Sequence, residues 1–150
     1  MGFLDQLVES GKKTEIYFNL PEVDLQKSYE KGKWNIRMIL VHLSDAESVL
    51  HDRIKRVISE PKGVIWAFDQ DLWCKNLNYQ NFPLEISKEI FTANRKSVIY
   101  LAEKYYKALG HKEFVHSETG LRTLKQEFEK VANHNISHLN QIEKALKIKE

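Results

Sequence analysis

The chain has 150 residues, 42% of them hydrophobic, a size and composition that suit one domain with a substantial core. Its 23 basic and 21 acidic residues nearly cancel, leaving a formal charge of +2. That balance excludes the charge patterning of a dedicated nucleic-acid or anionic-membrane binder. A single cysteine, Cys74, excludes an internal disulfide and a cysteine-built zinc site.

No apolar run is long enough to span a bilayer. The start, Met1 to Gln6, lacks the basic and then greasy pattern of a secretory signal. The expectation is a cytoplasmic protein, one domain over residues 1–150, with Cys74 as a small buried filler.

The first predicted helix runs from about Phe3 to Leu20. Phe3, Leu4, Leu7, Val8 and Ile16 recur at helical spacing, Gly11 weakens the middle, and Pro21 stops it. The second spans about Asn35 to Ser59 and is ended by Pro61 and Gly63. Ile36, Ile39, Leu40, Leu43, Ala46, Leu50, Ile54 and Val57 form its apolar stripe.

A connector follows to Pro83. It holds Trp66, Phe68, Trp73 and Tyr79, which are expected to pack over the bundle, and a short helix from about Gln70 to Leu77 capped by Asp69. Asp69 and Asp71 lack the later Gly and Glu of a calcium loop, so capping is the better use of that run. The third long helix starts with Pro83 in its first turn and ends near Leu109, before Gly110. A loop with His111, His116 and Gly120 leads to the capping box Thr123-Leu124-Lys125-Gln126. The fourth helix continues to about Lys147.

Four amphipathic helices imply an all-α four-helix bundle. The connector between the second and third helices is long for adjacent antiparallel neighbours. A crossover there gives an up-down-down-up order.

His134-Asn-Ile-Ser-His138 is the sharpest local motif. Histidines four apart on a helix point the same way, one turn apart, so both imidazoles can bind one ion. The pair lies on the flank of the apolar face, with His138 beside Val131 and Ile142. A zincin needs a Glu after the first His as its general base, and Asn135 stands there instead.

His42, on the flank shared by Met38, Ala46 and Val49, is the best third ligand. Antiparallel helices bring it level with the pair, and a parallel arrangement roughly does so too. Three imidazoles leave coordination positions open, as catalytic metal sites require. A metal there activates a water or a thiol. The competing interpretation is a hydrogen-bonded polar core.

His51 and His111 read as surface or loop residues, and His116 as a reserve ligand. Arg53, on the His42 side of its helix, and Glu127, two turns before His134, are weak candidates for catalytic roles. A salt bridge to an acid is the better reading for Arg53, and a basic partner accounts equally well for Glu127.

These residues resemble those of a known family. Trp34-Asn-Ile-Arg-Met-Ile-Leu-Val-His42-Leu-Ser-Asp45-Ala-Glu47 with Arg53, Phe68-Asp69-Gln-Asp71-Leu-Trp73, His116-Ser-Glu118-Thr-Gly120 and Ala132-Asn-His134-Asn-Ile-Ser-His138-Leu-Asn-Gln141 resemble, in order, segments of the DinB-like, YfiT-like metal-binding bundles. The resemblance implies an up-down-down-up bundle, often a homodimer, with nickel, zinc or another divalent ion on His42, His134 and His138. It implies a small-molecule substrate, with transfer of a low-molecular-weight thiol or hydrolysis as the reaction. A binder without catalysis and a structural dimer with a histidine core remain the other two expectations.

Overall fold

A computed structural model describes residues 1–149. In chain order the elements are α1 (Phe3–Tyr17), α2 (Glu22–Leu25), α3 (Ile36–Ser59), β1 (Val64–Ile65), α4 (Gln70–Asn76), α5 (Leu84–Leu109), β2 (Glu113–His116), β3 (Gly120–Thr123) and α6 (Leu124–Leu146).

The two expected caps close their helix starts: Asp69 accepts the amides of Asp71 and Leu72, and Thr123 and Gln126 form the reciprocal box. Asn35, expected as the first residue of the second helix, is its N-cap instead, its side chain accepting the Met38 amide. The expected first helix ends early, at Tyr17. Pro21 then serves as the N-cap of α2, because its missing N–H and fixed φ suit a helix start as well as a helix stop.

Two buried clusters fix the order of the four long helices. One gathers Leu7, Leu50, Ile54, Val98, Ala102, Leu124, Phe128 and Val131. The other gathers Phe18, Ile36, Ile39, Leu40, Leu43, Phe91, Leu139 and Ile142. The chain therefore runs from the first cluster to the second in α1 and α6, and from the second to the first in α3 and α5. This is up-down-down-up. Because α3 and α5 are parallel, the connector must carry the chain back along the bundle. Arg37 anchors its far end by donating to the carbonyls of Gln80 and Phe82 at 2.8 and 2.7 Å.

The segment expected as a loop between α5 and α6 is instead a hairpin. β2 pairs antiparallel with β3 and parallel with β1 from the connector. Phe114 and His116 turn inward while Glu113 and Val115 turn out, a period of two that is too short to register in the sequence. Gly120, at φ +78°, opens β3 in a conformation that costs a side-chain-bearing residue more.

Gly11 has a packing reason that helix propensity does not reveal. A Cβ there would stand 3.0 Å from Arg95 Cγ. Arg95 cannot move aside, because it holds both oxygens of Glu47 at 2.5 and 3.0 Å, the Leu7 carbonyl, Ser10 Oγ and Asn135 Oδ1. Asn135 in turn bonds Thr14. This buried pair is fully hydrogen-bonded, as burial of charge demands.

Candidate metal centre

α3 and α6 are antiparallel, so His42 lies opposite the His134/His138 pair on a shared seam. His42 is fully buried and the other two are half-buried. The ring centroids stand 4.6–5.0 Å apart. Nε2 of His134 lies 3.0 Å from Nε2 of His42 and 3.2 Å from Nε2 of His138. One nitrogen of each ring falls within 4.8 Å of the others, the one such group of three potential ligands among the described residues.

The chemistry of this donor set tests whether an ion fits. Gln141 Oε1 can only accept, so the 2.7 Å contact places a proton on His138 Nδ1 and leaves a lone pair on its Nε2. At most one N–H can then be shared around the three converging nitrogens. His42 Nδ1 has no partner at all. Burial, reinforced by the neighbouring rings, lowers His42 to about 2 and His134 to about 3, and burial lowers His138 as well. All three are thus neutral ligands at ordinary pH. Nitrogens bound at ~2.0–2.1 Å to one ion stand roughly 2.9–3.4 Å apart, which matches the two short separations. The residues fit a divalent ion.

The aromatic residues divide between two jobs. Trp34 packs 5.1 Å from the His42 ring, and Phe68 stacks at 6.4 Å, backed by Trp73. Tyr79 is fully buried and donates to Asp45 at 2.5 Å. Trp66 departs from the packing expectation: it is 78% exposed, and its backbone carbonyl rather than its ring is held, by Arg53. Cys74 is half-buried, not a core filler, because α4 lies on the outside of the bundle with no buried residue.

Arg53 and Glu127 pair with each other at 3.3 Å, both buried. Glu127 is seven residues from His134, ~10 Å along the helix, and Arg53 is eleven from His42, ~16 Å. Neither stands at the histidines.

His116 is also outside the triad. It is buried at the end of β2, where its Nδ1 accepts the amides of Glu118 and Thr119 at 3.2 Å. His51 is not a surface residue. It is half-buried between α3 and α5, 2.8 Å from Asn94 Oδ1 and 2.7 Å from Ser97 Oγ. His111 is exposed in the turn before β2.

Gln141, which fixes the His138 tautomer, was not singled out as a functional residue. Its signal is the i,i+3 spacing from His138 on α6. A cavity of about 360 Å³ opens beside His138, lined also by Tyr29, Lys33, Trp34, Gln70, Asp71 and Gln141. It reaches the triad at His138.

Three histidines converging across the α3/α6 seam of an up-down-down-up bundle make a helical bundle with a candidate metal centre. The chain belongs to the DinB superfamily, whose sequence profile matches residues 6–142. It is 26% identical to an Oceanobacillus iheyensis protein named as a candidate metal-dependent hydrolase, over 95% of this chain and 87% of that protein. A second protein of that organism with the same kind of name is 30% identical, over 93% and 79%. A Halalkalibacterium halodurans protein so named is 23% identical, over 85% and 74%. Among solved structures, YfiT from Bacillus subtilis superimposes with a TM-score of 0.86 at 19% identity, covering 95% of this chain and 83% of that one. It is described as a probable metal-dependent hydrolase with an unusual four-helix bundle topology. No helix of the described residues is long and apolar enough to cross a membrane.

Proposed function

We propose that the protein is a metal-dependent hydrolase of small molecules, with the divalent ion on Nε2 of His42, His134 and His138. The observation that carries this reading is the convergence of three neutral imidazole nitrogens that lack the protons to satisfy one another. The relatives named as metal-dependent hydrolases support the reaction class.

A divalent ion held there supplies a Lewis acid, which polarises an acyl or phosphoryl oxygen and lowers the pKa of a water or thiol ligand. The rest falls to the chain. Gln141 orients the His138 ring, as partners of metal-bound imidazoles do. Trp34 and Phe68 wall His42 and exclude bulk water from that side. The cavity beside His138 admits the substrate. Imidazole donors suit nickel and zinc among other divalent ions.

Transfer of a low-molecular-weight thiol is the second reading, and it rests on the family resemblance. The same tripod serves it, with the thiol brought by the co-substrate, because Cys74 is not part of the triad.

The test uses untagged protein. Elemental analysis is expected to find about one divalent ion per chain, with chelator-sensitive hydrolysis of chromogenic esters or amides. Hydrolysis that is absent while chelator-sensitive consumption of an added thiol is present would turn the assignment to transfer. An ion content near zero after metal addition refutes both.

A further inference from the structure

The cavity beside His138 carries two opposite charges that do not pair with each other. Lys33 and Asp71 both line it, both are exposed, and neither forms an ion pair among the described residues. The remaining wall is mostly hydrogen-bonding: the Tyr29 hydroxyl, the Gln70 and Gln141 amides, and Trp34. At about 360 Å³ the space is at the small end of ligand-binding cavities.

Opposite charges that close together would neutralise each other. Unpaired on the wall of one small cavity, they complement a ligand that carries both signs. Resting on the metal-centre reading above, we propose that the substrates are small zwitterions, amino-acid-like molecules whose carboxylate meets Lys33 and whose ammonium meets Asp71. The scissile group then lies against the histidine triad. Gln70 has a free amide to bond the substrate's own polar groups.

Three probes of equal length separate the charges: 5-aminopentanoate, pentanoate and pentylamine. None has the adjacent amine and carboxylate that would chelate the ion. Each is titrated into zinc-loaded, isotope-labelled protein, following the Trp34 indole resonance. The zwitterion is expected to bind roughly ten-fold more tightly than either single-charge probe, the scale of one solvated charge contact. Lys33→Met is expected to reduce 5-aminopentanoate to the affinity of pentylamine, and Asp71→Asn to reduce it to that of pentanoate. Equal affinities for the three probes, no binding by any, or variants that bind like the parent would each overturn the proposal.

Zinc content is measured on every sample. Discrimination in a chain that holds no zinc upholds the charge recognition while the metal reading fails. Stoichiometric zinc without discrimination fails the charge recognition alone.

Discussion

His42→Leu separates a metal ligand from an ordinary core histidine, because the two interpretations predict opposite stability changes. His42 is fully buried, its Nδ1 has no partner, and its Nε2 faces the His134 Nε2 lone pair or N–H at 3.0 Å. A buried polar atom left unsatisfied costs about 1–3 kcal/mol. Leucine removes that cost and keeps the site apolar. It also loses the ring contact with Trp34, of the order of 0.5–1.5 kcal/mol. The two terms oppose, so metal-free H42L is expected to lie within about 1 kcal/mol of the metal-free parent.

The metal-loaded comparison is one-sided. An ion present at ~1,000 times its Kd stabilises the parent by about 4 kcal/mol, or roughly 8–16 °C in Tm for a chain of this length. H42L is expected to lose nearly all of that increment. The assay is calorimetric or circular-dichroism melting, with chelator and with zinc. An equal zinc shift in parent and variant would refute the ligand assignment. A loss above about 3 kcal/mol in the metal-free variant would show His42 to be a satisfied core residue instead.

Two further outcomes follow from the same geometry. Gln141→Leu removes the acceptor for His138 Nδ1 and is expected to weaken zinc affinity about 10- to 100-fold in a competitive chelator titration. An unchanged affinity would mean that Gln141 does not hold the ring. In the metal-free protein, burial lowers the three histidines from the unfolded value of ~6.5, His42 to about 2 and His134 to about 3. The unfolded chain therefore binds more protons between these limits, and stability rises with pH. It is fully present above the unfolded pKa and falls by up to ~1.4 kcal/mol per pH unit for each histidine as the pH drops toward 3. Denaturant melts of the parent and H42L from pH 4 to 8 check this, and equal slopes in the two would falsify it.

The helices and half of the site were legible in the chain itself, because their signals are local. The α3 stripe, the Thr123/Gln126 box and the Asp69 cap act within one or two turns. The His134/His138 spacing is local too, since one helix places both rings on one flank. His42 is a candidate from its place on the flank of the α3 stripe, and the family resemblance implies it as the third ligand, while spacing alone leaves both helix directions open.

Tertiary structure decided what depends on distant partners. The antiparallel α3/α6 seam brings His42 to 3.0 Å from His134 across 92 residues. The same seam joins Arg53 to Glu127, about two turns or more along from the triad. β1 and β2 come from segments fifty residues apart, and neither strand is long enough to show a period alone. The tautomer of His138 and the joining of Lys33 and Asp71 in one cavity likewise arise only when loops and helices converge. The sequence alone determined the helices, the caps and one pair of potential ligands, because these obey short-range periodicity. The third ligand's position, the cavity beside His138 and the charges on its wall depend on packing between elements, which no single segment encodes.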